Sequence, residues 1–387
     1  MDQFEAVIGL IKKEDLIKLA EEYSVDKCNT KILGSLIFKG LMKLILSGQR
    51  ASLRMLAMLI NQGQEEHETV TYSGLSKRLK TLRVDYFKAI YENLIIACGT
   101  EFQENDKLNL HRFDSTIINL SGRMIKDGIG RIAGKDIDTQ IKVSVGLRNQ
   151  LPASIRFCLD KSESNENVAL IKAINEGKVE KEDILLFDRG LNSVNNLSSL
   201  CEEDYKFVTR IKLDRKYALI KKNKIENKEN SKNHFLEDVI INLYGSNSSK
   251  KVILIANNFR LIKMINSQDN EIWFLTNLFD SSAEEIAEMY KRRWDIEVFF
   301  KFIKQNLGYK HFLSHNMNGM QVYIYMILIT AVLFLVYKKR CNMSGFKLPL
   351  FEFSLKANKS FLKDLLALYG INPESEAVKK YFKEMLI

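Results

Sequence analysis

The segment Val322–Tyr337 reads VYIYMILITAVLFLVY, sixteen residues of which only Thr330 is polar outside the tyrosines. A run this apolar cannot lie on a wet surface, so it is buried in protein or in lipid. It is short for a bilayer span, which takes about 20 residues. The basic Lys338-Lys339-Arg340 that follows would suit a membrane flank. Nothing else in the chain has a membrane pattern. The reading is therefore a core helix, with no membrane partner.

Only three prolines occur in 387 residues, so long helices are permitted. Residues 1–105 read as a helical domain. Apolar positions recur at helical spacing through Leu36, Ile37, Leu41, Leu44 and Ile45, and again through Leu53, Leu56, Leu59 and Ile60. A third stretch around Leu75, Leu79 and Leu82 carries Lys77, Arg78, Lys80 and Arg83. A DNA-binding head and a bundle with solvated lysines fit this pattern equally. The formal charge of +10 favours an anionic partner. The five cysteines are scattered and form no CxxC pair, so neither a zinc knuckle nor a disulfide framework is expected. The acidic start, Met1-Asp2-Gln3-Phe4-Glu5, does not resemble a signal peptide. A reducing, cytoplasmic setting is expected.

The pattern changes after residue 105. Leu108–Leu120 reads as a strand with Asp114 in its middle, and two more strands follow near Thr139–Leu147 and Ala153–Leu159. A helix from Asn165 to Asn175 precedes Asp183-Ile-Leu-Leu-Phe-Asp188-Arg-Gly190, a buried strand ending in an acid and a glycine turn. A helix near Asn192–Glu203 and a strand Lys206–Lys212 complete a β-β-β-α-β-α-β order, which defines an α/β fold. Residues 206–275 read as a β-rich basic insertion. Within it, residues 206–232 hold ten Lys and Arg against Asp214, Glu226 and Glu229. Residues 276–340 return to the core, and 341–387 form a C-terminal helical segment.

The last strong element is one helix from Ser282 to Gly308, with Ser282 and Glu285 as a capping box. On a continuous helix Tyr290, Arg293, Glu297 and Lys304 fall in a stripe about 60° wide. Such a polar row of mixed sign is either a solvated ion-pair face or a site. Asp114 inside an apolar strand is costly without a partner. Asp188 sits at the strand end, where sheets of this kind face ligands. Three carboxylates on separate elements could converge on two Mg²⁺ ions, with Arg and Lys beside them for phosphate.

These residues carry a resemblance. The spacing Y-x2-R-x3-E-x6-K, with Asp114 in FDST and Asp188 in FDRG, resembles the DDE transposases of the insertion-sequence-4 type. Phe207-Val-Thr-Arg210, Phe274-Leu-Thr-Asn277 and KQNLGYKHFLSH are similar to that family too. The resemblance implies a ribonuclease H-like core: a mixed five-stranded sheet with flanking helices, interrupted by the insertion. It implies Asp114, Asp188 and Glu297 as catalytic ligands of Mg²⁺ or Mn²⁺, with two ions. Tyr290, Arg293 and Lys304 would grip DNA phosphates. The implied reaction is cut-and-paste transposition through a DNA hairpin and 3′-hydroxyl strand transfer. Its partners would be terminal inverted repeats and target DNA, with a homodimer assembled on DNA at the bacterial nucleoid.

Trp294 matches a position where relatives stack an aromatic ring on a flipped base; packing of the helix on the sheet is the alternative. Trp273 reads as core. Arg189 could touch DNA or pair locally. Leu191 departs from the aromatic that many relatives have after Asp-Arg-Gly. Two other readings share some of these features. Another metal-dependent nuclease on this fold would need no Tyr/Arg/Lys row. A DNA-binding derivative without chemistry would have lost a carboxylate, and all three are present.

Overall fold

The computed structural model describes residues 2–62, 69–102, 108–119, 140–159, 163, 165–177, 179–191, 193–225, 233–246, 249, 251–309 and 312–384. The helices before the first strand are α1 (Gln3–Ile8), α2 (Lys13–Glu22), α3 (Gly34–Leu46), α4 (Leu53–Asn61), α5 (Tyr72–Thr81) and α6 (Val84–Cys98). Those after it are α7 (Glu166–Glu176), α8 (Val194–Glu202), α9 (Ala283–Lys291), α10 (Trp294–Asn306), α11 (Met317–Arg340), α12 (Lys347–Leu368) and α13 (Glu376–Glu384). The strands are β1 (Leu110–Asn119), β2 (Gln140–Arg148), β3 (Leu151–Cys158), β4 (Ile184–Phe187) and β5 (Lys206–Arg210). The remaining strands are β6 (Tyr217–Lys222), β7 (His234–Ser246), β8 (Val252–Ile265) and β9 (Glu271–Thr276).

The chain divides into two compact units. Among the described residues, one takes those up to Glu101 and those from Lys301 on; the other takes those from Phe102 to Phe300. The division falls inside α10, after Phe300.

The first unit is helical. Its centre is α11, whose apolar window is 89% buried, so the long apolar run is a core helix. Helices α1, α3, α5, α6 and α12 all pack on it. Asn316 caps its start by accepting from the Gly319 N–H at 2.8 Å. Two residues on from that cap, the Asn318 amide donates to the carbonyls of Leu79 (2.9 Å) and Leu82 (2.5 Å), satisfying the open end of α5. The expected segments differ from this grouping. Residues 301–340, expected with the catalytic core, group with the N-terminal helices because α11 buries its apolar surface there. The expected separate C-terminal segment belongs to the same unit through α12, which packs on α1, α3 and α11.

Among the described residues, the second unit is built on one mixed sheet of nine strands in the order β3-β2-β1-β4-β5-β9-β8-β7-β6. Strands β1, β2 and β3 form the expected antiparallel meander. Strand β4 lies parallel to both β1 and β5; α7 leads into it from β3, and α8 crosses from it to β5. The insertion strands β6 to β9 do not leave this sheet. They extend it, because β9 pairs antiparallel with β5. The two family-like phrases thereby become neighbours: Thr209 lies opposite Leu275, and Val208 opposite Thr276. Their hydroxyls donate across strands, Thr209 to the Phe187 carbonyl (3.1 Å) and Thr276 to the Phe207 carbonyl (2.6 Å).

Each face of the sheet buries its own apolar cluster, as alternation requires. Phe113, Leu185, Phe187 and Phe207 pack with α7 and α8 on one face. Leu110, Ile184, Leu186 and Val208 pack with Ile286, Met289 and Tyr290 of α9 on the other. A buried ion pair ties the insertion to α9. Arg260 of β8 holds Asp238 of β7 through two bonds, at 2.9 and 2.6 Å. The same guanidinium donates to the carbonyls of Leu278, Phe279 and Ser281, the residues leading into the helix.

Candidate active site

Alternation places Asp114 on the α9 face of β1, two residues beyond Arg112. Strand β4 is buried at all four positions and ends at Phe187, so Asp188 is the first residue after it. In the parallel β1–β4 register Arg112 lies opposite Leu186. Asp114 lies two residues beyond Arg112 on β1, and Asp188 two residues beyond Leu186 on the neighbouring chain segment. Thr209 fixes the turn after β4 through the Phe187 and Asp188 carbonyls, at 3.1 and 3.5 Å. Gly190 leaves room for the Glu166 side chain: a Cβ there would meet Glu166 Cγ at 2.6 Å unless that side chain moved. Leu191 is fully buried in the core, which accounts for an aliphatic residue at that position.

The expected single helix Ser282–Gly308 is two helices. The capping box is present: Ser282 accepts from the Glu285 N–H (3.2 Å), and the Glu285 carboxylate accepts from the Ser282 N–H (2.7 Å). The positive φ of Gly308, +71°, fits a helix end two residues after Asn306. Between these, α9 stops at Lys291 and α10 starts at Trp294. Around the seam the backbone bonds tighten to the third residue back: Arg293 to Tyr290 (2.9 Å), Asp295 to Arg292 (3.2 Å) and Ile296 to Arg293 (3.3 Å). The even stripe expected for a continuous helix is therefore interrupted in its middle.

The break still leaves Tyr290, Arg293 and Glu297 close to the two aspartates. The Tyr290 hydroxyl donates to Asp188 Oδ1 at 3.3 Å. Arg293 pairs with Glu297 at 2.6 Å, and its guanidinium lies 5.6 Å from the Tyr290 ring centre. Burial works against the Arg293 charge. The Tyr290 phenol, Glu297 and Asp188 outweigh that and hold its pKa above the usual arginine value. The Tyr290 phenol is itself raised, first by burial and then by Asp188. Arg293 Nε is buried and has no hydrogen-bond partner among the described residues.

Asp114 is pushed up to about 6, chiefly by burial. The Ser115 N–H (2.7 Å) and Arg293 oppose the shift, while Glu166 and Glu297 add to it. Glu166 is a fourth carboxylate at this sheet end, paired with Lys142 at 2.5 Å. Nothing in its spacing singles it out in the sequence. Among the described residues, no three Asp, Glu, His or Cys side chains are gathered tightly enough to hold an ion together. Asp188 is turned toward Tyr290, and Glu297 toward Arg293. The donor set is nevertheless hard oxygen, and the Ser115 N–H and Arg293 only partly offset the cost of the buried Asp114 charge. Both suit a hard divalent cation.

Trp294 is 59% exposed, so it does not pack α10 on the sheet. Trp273 is 9% exposed and belongs to the core, as expected. Arg189, Arg210, Lys212 and Arg215 line a cleft of about 220 Å³, and Arg189 and Lys212 line a second one that reaches Asp188. Arg189 makes no ion pair with a described residue. Lys304 belongs to the first unit, where it lines a cleft with Arg50, Gln49 and Gln305. Lys221 and Lys222 are exposed on β6, the edge strand of the sheet, while residues 226–232 of the expected basic loop lie outside the described residues.

The sequence profile of the Transposase DDE domain family matches residues 134–333. That span takes in Asp188, Tyr290, Arg293, Glu297 and Lys304, and begins after Asp114. A putative transposase for insertion sequence element IS4SA of Synechocystis is 24% identical over 75% of this chain and 78% of its own length. A probable transposase for insertion sequence element IS5377 of Geobacillus stearothermophilus is 23% identical over 68% of this chain and 66% of its own. Among solved structures, a piggyBac transposase synaptic complex with hairpin DNA superposes with a TM-score of 0.51 at 12% identity. That match covers 98% of this chain and 84% of the other, and it bears on the fold alone. With a family profile spanning half the chain and relatives named as insertion-sequence transposases, the protein belongs to the DDE transposases, enzymes that cut and transfer DNA.

Proposed function

We propose that this protein moves an insertion sequence by cut-and-paste transposition, with Asp114, Asp188 and Glu297 as its catalytic carboxylates. The observation that carries this reading is Arg293. It is the shared electrostatic neighbour of all three acids and keeps a buried, unpaired Nε. An unpaired buried donor is costly, and a phosphate oxygen is the partner that would satisfy it. A ribonuclease H-like core is supported by the order β3-β2-β1-β4-β5, with Asp114 inside β1 and Asp188 just past the carboxyl end of the adjacent parallel strand β4.

The three carboxylates would hold Mg²⁺ or Mn²⁺, two ions by the family resemblance. Bound there, the metal supplies Lewis-acid activation of a water or 3′-hydroxyl and stabilises the leaving oxygen. The chain's own groups do the rest. Arg293 gives a bidentate grip on a phosphate when it lets go of Glu297. Tyr290 holds Asp188 in orientation with its one hydroxyl hydrogen, and would turn that hydrogen to the same phosphate once a metal takes the carboxylate. Lys304 adds a point charge further along α10. Trp294, exposed at the first turn of that helix, would stack on a base displaced when the DNA end folds into a hairpin.

The partners are the terminal inverted repeats and target DNA, read in part by residues 1–105. The working form is a homodimer assembled on DNA in the bacterial cytoplasm, at the nucleoid. The test is an end-labelled terminal repeat incubated with protein and Mg²⁺ and resolved on a denaturing gel. A nick at the element end followed by a hairpin band supports the reading. End binding without any Mg²⁺-dependent product refutes it.

A further inference from the structure

Arg112 is fully buried in β1 on the same face as Asp114. A charged side chain there is costly, and an apolar one of equal volume would pack without that cost. Its contacts indicate what it does. Nε donates to the Arg292 carbonyl at 2.8 Å, and Nη2 pairs with Asp295 Oδ2 at 3.1 Å. Nη1 returns to the Leu110 carbonyl at 3.3 Å, which holds the guanidinium to its own strand. In a continuous helix the Arg292 carbonyl would accept from the Ile296 N–H. Here that N–H bonds to Arg293 instead, and the Arg292 carbonyl accepts from the Asp295 N–H at 3.2 Å and from Arg112.

We infer that Arg112 is a positioning residue that sets the break between α9 and α10. It thereby fixes where Arg293, Trp294 and Glu297 stand relative to Asp114. This rests on the proposed roles of those residues. Each bond of the tighter kind turns the chain about 20° further than an α-helical step does. Without the strut, α9 and α10 would tend to run on as one helix. Glu297, four residues past Arg293, would then swing round the axis away from the sheet end. Arg112 and Asp114 lie two residues apart on one strand, so the strut and the carboxylate move as one body. The seam is measured from the same strand that carries the first acid.

The full-length protein is tested as Arg112→Lys, Arg112→Met and Asp295→Asn. The readouts are hydrogen exchange over residues 290–298, binding of terminal-repeat DNA, and Mg²⁺-dependent cleavage with its half-saturating Mg²⁺. We expect faster exchange in that segment alone, and end binding within about twofold of wild type, since phosphate contacts elsewhere dominate affinity. Cleavage should fall by about 10²-fold, the cost of misplacing a reacting group by about 1 Å. Half-saturating Mg²⁺ should rise, and Arg112→Lys should keep more activity than Arg112→Met. Should the Arg112 variants fail to fold, Asp295→Asn, at a half-exposed position, decides alone. Wild-type exchange and wild-type cleavage in the folded variants would overturn the inference. If Glu297→Gln is inactive in the same assay, the strut fails by itself; if Glu297→Gln also cleaves, the proposed site fails.

Discussion

Replacing Asp114 by Asn should stabilise the metal-free protein while abolishing cleavage. The Asp114 carboxyl titrates near 6 rather than at its usual 3.8, because burial disfavours its charge and Glu166 and Glu297 repel it. Its folded pKa lies above its unfolded one. Between about pH 4 and pH 6 the native state holds more protons than the unfolded chain, so stability falls as pH rises through that window. Above it the full penalty is present. At about 1.4 kcal/mol per pH unit the difference comes to about 3 kcal/mol, and relaxation of a partly wet site brings it toward 1–2 kcal/mol. Asn carries no charge and avoids this cost. Denaturant midpoints measured with EDTA should therefore favour Asp114→Asn by about 1–3 kcal/mol at pH 8 and converge with wild type at pH 4. Divalent ions should narrow the gap at pH 8 by stabilising only the wild type. A variant that is equally or less stable than wild type at pH 8 would show that the Asp114 charge is compensated without metal, which contradicts the reasoning.

Asp188→Asn and Glu297→Gln should each lose Mg²⁺-dependent cleavage on a denaturing gel and keep end binding in a gel-shift assay. Trp294→Ala should impair hairpin formation more than the first nick, because removing one stacking partner costs about 1–3 kcal/mol only once a base is displaced; time courses of both products check this. Neutralising Lys221, Lys222 and Lys224 should flatten the dependence of log binding constant on log salt by up to about 0.9 for each phosphate that is no longer neutralised. An unchanged slope would mark the β6 edge as a solvated face.

Periodicity alone reveals most of the architecture. The helical first hundred residues, the meander, and the buried strand ending at Asp188 all follow from apolar spacing and turn residues. The proposed site is legible because such chemistry needs polar groups where packing would prefer apolar ones: Asp114 in a strand interior, and a mixed-charge row at helical spacing. What stays hidden depends on pairings between residues distant in sequence. The capping box and Gly308 bracket a helix whose local sequence gives no reason to break. The break is matched by Arg112, 180 residues upstream of Arg292. Its one local signal is a charge two positions before Asp114 on the same strand face, and that charge alone does not say which helix it holds. Glu166 likewise reaches the site only because α7 packs on β1 and β2. The extension of the sheet by the insertion rests on one pairing, β5 with β9, that no local pattern announces.

The central claim is that the Asp114, Asp188 and Glu297 side chains bind the metal on which DNA cleavage depends. Asp188→Cys tests it most directly, because sulfur is a poor ligand for Mg²⁺ and a better one for softer ions such as Mn²⁺. Cleavage of an end-labelled terminal repeat by this variant should vanish in Mg²⁺ and return in Mn²⁺, with end binding equal in both. Cleavage in Mg²⁺ at the wild-type rate would contradict the account.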